Sequence, residues 1–216
     1  MGPVVDKYVV DEHCRGVPAE PLRRYVAWYT GYRQRGVRPA RHRGLPSPYL
    51  TLIFTLDEPL TMMAHPDPGQ PPGEFGTLLG GLHCTPALIV HEGAQSGIQV
   101  ALRPLGARAL LGLPAGELAD IDVPAEAVLG GVCAELRDRV RAADGWSGRF
   151  AILDEILLRL ATSNLAVACG YFDQAHLARE FRSLAGCPPS QWLAEEFRNV
   201  QAGAWLAEGA WEDRSW

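Results

Sequence analysis

Lysine is almost missing from this chain. Lys7 is the only one, and arginine supplies the remaining basic side chains. With a formal net charge of −5 the chain as a whole does not draw nucleic acid to itself electrostatically. The five cysteines, Cys14, Cys84, Cys133, Cys169 and Cys187, are odd in number and form no C-x-x-C pair. That argues against a disulfide scaffold and against a cysteine zinc site. No run approaches the ~18 apolar residues of a membrane span. The opening stretch MGPVVDKYVVDEH lacks the apolar segment of a secretory signal. These absences lead to the expectation of a reduced, cytoplasmic protein that does not enter a membrane.

Catalytic punctuation is missing too. There is no G-x-S-x-G, no phosphate-binding G-x-x-x-x-G-K and no G-x-G-x-x-G. No His-x-His occurs, so the paired histidines of a strand-borne metal site are lacking, and His65, His83 and His91, with Glu92, read as surface or core residues. The expectation is a protein that is not an enzyme and has no metal and no cofactor.

What is present fills 216 residues, enough for one large domain or two small ones. Residues 1–145 read as a strand-rich domain. Tyr8–Val10 is a short strand candidate, and Pro18–Tyr29 reads as a short helix with Leu22, Val26 and Tyr29 on one side. Tyr49–Leu56, YLTLIFTL, is the strongest strand signal, and LTMMAH is expected to be its hairpin partner. His65–Gly73 is a Pro/Gly loop. FGTLLGGLH, ALIVHEG and SGIQVALRP then give three strands at spacings too short for parallel crossovers, so antiparallel pairing follows. Tyr25, Trp28, Tyr29 and Tyr32 are either core residues or the lining of a small-molecule pocket.

After Arg103 the periodicity turns helical. PLGARALLGL opens on a proline suited to a first helical turn. GGVCAELRDRVRAA is amphipathic, with Val132, Leu136 and Val140 opposite Arg137, Asp138 and Arg141. FAILDEILLRLA, within a connecting helix placed at 146–162, carries the stripe Ile152, Leu153, Ile156, Leu157 and Leu160. That stripe either faces its own domain or forms a dimer seam. The tail 201–216, with Trp205, Trp211 and Trp216, is acidic and is expected to be poorly ordered.

Between them, residues 163–200 hold GYFDQAHLAREFRSLAGCPPSQW (Gly170–Trp192). Asp173 suits an N-cap, and Leu177, Phe181 and Leu184 fall on one face at i, i+4, i+7. Ala175, Ala178, Arg179 and Arg182 occupy the opposite face, flanked by His176. Gly186 stands where a helix-ending glycine would. A helix ending near Ala168, with Leu165 and Ala168 on its inner side, a turn at Gly170 and this second helix make either an ordinary helical hairpin or a helix-turn-helix.

The ordered run of Gly170, Tyr171, Phe172, Leu177, Arg179, Phe181 and Arg182, then Gly186, Pro188, Pro189 and Trp192, resembles the end of the AraC/XylS-type DNA-binding domain. The resemblance implies a transcriptional regulator with an N-terminal sensing or dimerisation domain. Gly170, Phe172, Leu177, Phe181, Leu184, Gly186 and Trp192 would form the core of the unit. Arg179 would read a base, with Gln174, Ala175 and His176 at the close-approaching end and Arg182 on phosphate. Only the second of the family's two units has a counterpart here, because FAILDEILLRLA runs at once into TSNLAVACGYFD. Residues 161–200 hold three arginines against four carboxylates, a net charge of −1. The expected partners are double-stranded DNA, a small-molecule effector in the N-terminal domain, and a second chain in a homodimer or in a mixed dimer with a full-length relative, the last being the alternative in which DNA binding is vestigial. The expected fold class is α+β: a strand-rich antiparallel domain with appended helices, followed by a helical helix-turn-helix unit.

Overall fold

The computed structural model describes residues 9–168, 174–188 and 191. It is α+β. Ten strands are described, the first nine before any α-helix: β1 (Val10–Gly16), β2 (Val26–Arg35), β3 (Ala40–Gly44), β4 (Leu50–Thr55), β5 (Leu60–Ala64), β6 (Gly73–Phe75), β7 (Thr77–Gly80), β8 (Ala87–His91), β9 (Ala94–Leu102) and, after the first helix, β10 (Asp122–Val123). The helices are α1 (Pro104–Gly106) running into a π turn (Ala107–Leu111), then, after β10, α2 (Glu126–Leu129), α3 (Gly131–Ala142), α4 (Gly145–Ala168) and α5 (Gln174–Ala185). The chain forms two compact units, 1–164 and 165–216.

All strand pairs are antiparallel, as their short spacings require. One sheet has the order β1-β2-β9-β4-β7-β10 and the other β3-β8-β5-β6. The inner order β2-β9-β4-β7 over β3-β8-β5-β6 is that of a jelly roll, in which consecutive strands, β5 and β6 apart, alternate between the two sheets.

Strand alternation gives the six-stranded sheet two different faces. Tyr29, Leu52, Phe54, Ile98 and Val100 point one way and are fully buried against Leu136, Val140, Leu153 and Ile156 of α3 and α4. The connecting-helix stripe therefore covers its own domain. The other face meets the four-stranded sheet through a smaller cluster of Ile53, Leu60, Met62, Leu78 and Ala87.

Two sequence expectations are corrected. Pro18–Tyr29 is not a helix: only Glu20–Leu22 makes a 3₁₀ turn, and Val26 opens β2. A bulge between Val26 and Trp28 lets Val26 and Tyr29 enter the same core from one strand. Their spacing of three mimics a helix because the bulge adds a residue to the period of two. LTMMAH is a strand, β5, but it is no hairpin partner of β4. It pairs with β6 and β8 in the opposite sheet.

One carboxylate fastens α4 to the sheet side. Asp154 Oδ1 accepts from the Tyr29 hydroxyl at 2.8 Å and from the Ala19 amide at 2.9 Å. Burial first, and then the Asp154 charge and hydrogen bond, push the Tyr29 phenol far above its ordinary pKa. Asp154→Ala strands two donors and is expected to destabilise the fold by about 2–3 kcal/mol in urea titration, whereas Asp154→Asn, which keeps an acceptor, recovers most of the loss.

α3 and α4 are also laced on their outer side. Arg139 makes a two-pronged contact with Glu155 at 2.7 and 2.6 Å, and Arg159 bonds Glu135. The Arg159 hydrogen bond lowers the Glu135 carboxyl, and the Arg139 hydrogen bond lowers that of Glu155. A lowered folded-state value means stability that is present above the ordinary glutamate range and lost as pH falls through the folded value. Thermal unfolding followed downward from neutral pH is therefore expected to show a smaller acid-linked loss in an Arg139→Ala, Arg159→Ala double variant than in the unmodified protein.

Candidate functional site

The face of the six-stranded sheet turned toward the four-stranded sheet is incompletely filled. A cavity of about 680 Å³ lies there, within the ~300–1,000 Å³ of ordinary ligand pockets. Its floor is set by register. Trp28 on β2 stands opposite Ala101 on β9, Ala101 opposite Thr51 on β4, Thr51 opposite Gly80 on β7, and Gly80 opposite Asp122 on β10. All five line the cavity. At about 4.8 Å per strand the row spans about 19 Å along the sheet. Its three middle residues are small, so it forms a trough with an indole at one end and a carboxylate at the other. A neighbouring row, Thr30, Gln99, Ile53 and Leu78, lies beside it.

The carboxylate end is built with care. Asp122 and His65 are both buried, and Asp122 Oδ2 meets His65 Nδ1 at 2.8 Å. The Phe75 ring stands edge-on to His65 at 5.6 Å. Gln70 clamps the Asp122 backbone from both sides, accepting from its amide at 3.0 Å and donating to its carbonyl at 2.8 Å. Asp122 Oδ1 is the oxygen not used by His65. It lies 2.8 Å from the place a Cβ on Gly80 would occupy, so only glycine fits there without displacing it.

At the indole end the Trp28 and Tyr49 rings meet edge to face at 4.7 Å, and the Arg15 guanidinium sits 4.3 Å above Trp28. On the opposite wall β3 and β8 turn Ala40, His42, Gly44, Ile89 and His91 inward. The aromatic group singled out in the sequence divides. Trp28 and Tyr32 line the cavity, Tyr29 belongs to the helix-side core, and Tyr25 packs at that core's margin. Burial pushes the Tyr32 phenol up to about 12.

Of the histidines weighed in the sequence, His65 is core, while His83 and His91 border the cavity. Among the described residues no three His, Cys, Asp or Glu side chains gather as a metal site, and no helix is long and apolar enough to cross a membrane. The four described cysteines, Cys14, Cys84, Cys133 and Cys187, are free. Asp122, Gly80, Thr51 and Gln99 were not singled out from the sequence. Their signal was there in part, because Gly97, Gln99 and Ala101 alternate with Ile98, Val100 and Leu102, which marks one dry face and one wet one.

The second unit contains α5, which covers Gln174, Ala175, His176, Leu177, Arg179, Phe181, Arg182 and Leu184. Arg179 and Arg182 are exposed and Phe181 is half-buried. The side chains of Gln174, Ala175, His176, Leu177 and Leu184 lie outside what is described, as do Gly170, Phe172 and Trp192 altogether. Gly186 ends the helix with φ +75°, its amide bonded to the Arg182 carbonyl at 3.0 Å, the left-handed stop expected of a glycine. Leu165, expected on an inner helix side, is 55% exposed.

Residues 15–124 match the model of a family described as a domain of unknown function, DUF6597. The matched stretch holds every cavity-lining residue except His13. No curated protein and no solved structure matches the chain.

Gly80→Ala is expected to push Asp122 from its place and cost about 1–3 kcal/mol, read in urea unfolding, although the substitution adds only a methyl group.

Proposed function

The chain belongs to the DUF6597 family, and we propose that it is a ligand-sensing transcriptional regulator working in the cytoplasm, with the sensor in its jelly roll and the DNA reader in the segment around α5. It acts by binding and not by catalysis. The observation that carries the reading is the trough between the two sheets: a cavity of ligand size whose floor is apolar and small in the middle and polar at defined points. The reader half rests on the AraC/XylS resemblance of Gly170–Trp192, supported by two exposed arginines three residues apart on one helix.

Arg179 is the base reader in this proposal, a two-pronged donor to guanine, and Arg182 holds phosphate. A single unit with a net charge of −1 across residues 161–200 neutralises little phosphate, so tight operator binding requires two copies spaced by a helical turn. The same charge count favours a second reading, in which this chain senses its ligand and pairs with a longer relative that reads the DNA.

Electrophoretic shift against a selected operator tests the first reading. Arg179→Ala is expected to cost about 1–3 kcal/mol at one base position and Arg182→Ala to weaken binding evenly across sequences. Absence of any sequence-dependent shift at low salt rejects DNA reading by this chain alone, and co-purification with a longer relative then supports the second reading.

A further inference from the structure

The geometry points to an organic cation as the ligand of the trough: a flat apolar body that carries an ammonium or amidinium head paired with Asp122. This rests on the sensing reading above and narrows it to a chemical class.

Among the described residues Asp122 is the only carboxylate that lines the cavity, and its side chain is 4% exposed. His65 Nδ1 occupies Oδ2, which fixes the plane of the carboxylate. Oδ1 is left as an acceptor beside the glycine that ends the small-residue row. A buried acceptor gains most from a charged donor, and the bond formed is a charge-assisted one.

His13, His42, His83 and His91 also border the cavity and Arg15 lies over Trp28 at the far end, so the preference for a cation is local to the Asp122 end of the trough. Among the described residues the one arginine that borders the cavity is Arg41, which is exposed. It lies on β3 between Ala40 and His42, and strand alternation turns it away from the face that carries those two. The inward groups of the neighbouring row are neutral: Thr30 and Gln99, then Ile53 and Leu78.

The body of the ligand follows from the floor. Ala101, Thr51 and Gly80 leave a shallow, narrow strip, and Leu78, Ile53, Met62 and Ile89 supply apolar walls. Trp28 closes the far end, with Tyr49 against it edge to face. A planar aromatic body lies flat on such a strip and meets a ring at its far end, while its charged head reaches the carboxylate.

Three probes of one shape make the test: biphenyl-4-ylmethylamine, biphenyl-4-ylmethanol and biphenyl-4-carboxylate, each titrated calorimetrically into the full chain. The amine is expected to bind about tenfold to a hundredfold more tightly than the alcohol, with the carboxylate weakest. Asp122→Asn is expected to abolish the preference for the amine while the alcohol still binds. Ala101→Leu, which fills the strip and leaves the carboxylate untouched, is expected to weaken all three. Should Asp122→Asn not fold, the ranking of the probes on the unmodified protein and on Ala101→Leu decides the matter. Carboxylate or alcohol binding as tightly as the amine overturns the cation and leaves the sensing reading standing. Amine binding that Ala101→Leu does not alter overturns the trough as its site. Failure of all three probes to bind overturns the flat-bodied cation and leaves the sensing reading standing.

Discussion

Everything in the first unit hangs on the two-residue period of three adjacent strands. Along β2, β9 and β4 one set of side chains is large and apolar and the other, Trp28 and Ile53 apart, small or polar. The first set, Tyr29, Ile98, Val100, Leu52 and Phe54, brings α3 and α4 onto the sheet. The second, Trp28, Thr30, Gln99, Ala101 and Thr51, leaves a void beneath the other sheet. A slip of one residue in any of these strands would exchange the two sets, placing glutamine and threonine under the helices and valine and isoleucine in the cavity. Fold and site are therefore one specification. The hydrophobic pattern that docks the helices is the same pattern that fixes what the cavity presents.

The bulge at Val26 shows how finely that specification is tuned. Without the extra residue, Val26 would follow the parity of Trp28 and face the cavity. With it, the first turn of the strand contributes to the helix-side core while Trp28 keeps its place at the end of the trough. The Asp154 carboxylate complements this arrangement. It reaches the Tyr29 hydroxyl on the dry face, where that polar atom would otherwise be stranded. The sheet is thus locked to α4 on the strand that also carries the indole of the cavity.

Much of this was legible in the chain. Tyr49–Leu56 announced itself through β-branched and aromatic residues, and β9 through strict alternation. The helical stripes at 131–142 and 152–160 fell where their periodicity put them. The weak points have physical causes. β1, VDEHCRG, and β3, ARHRG, sit at sheet edges with mostly exposed side chains, so no alternation of polarity marks them. β2 was mistaken in its first residues because its bulge counterfeits helical spacing. The carboxylate of the site could not be anticipated, since Asp122 belongs to a two-residue strand and meets His65, 57 positions earlier in the sequence, only after the chain has folded back. Alternation reveals which face a residue takes, but partners across a jelly roll are set by strand order, which no local pattern encodes.

The row from Trp28 to Asp122 has a further consequence, for the life of the chain rather than its shape. Its five residues are drawn from β2, β9, β4, β7 and β10, so neighbours in the row are separated by long stretches of sequence and no fragment ending before residue 122 can contain it. Such non-local pairing forms late and slowly. A molecule seated on the row recognises only the finished fold, and at a hundred times its dissociation constant it would deepen the folded state by about 2.7 kcal/mol. In a cell that clears unfolded chains, a molecule bound there would then raise the amount of surviving protein.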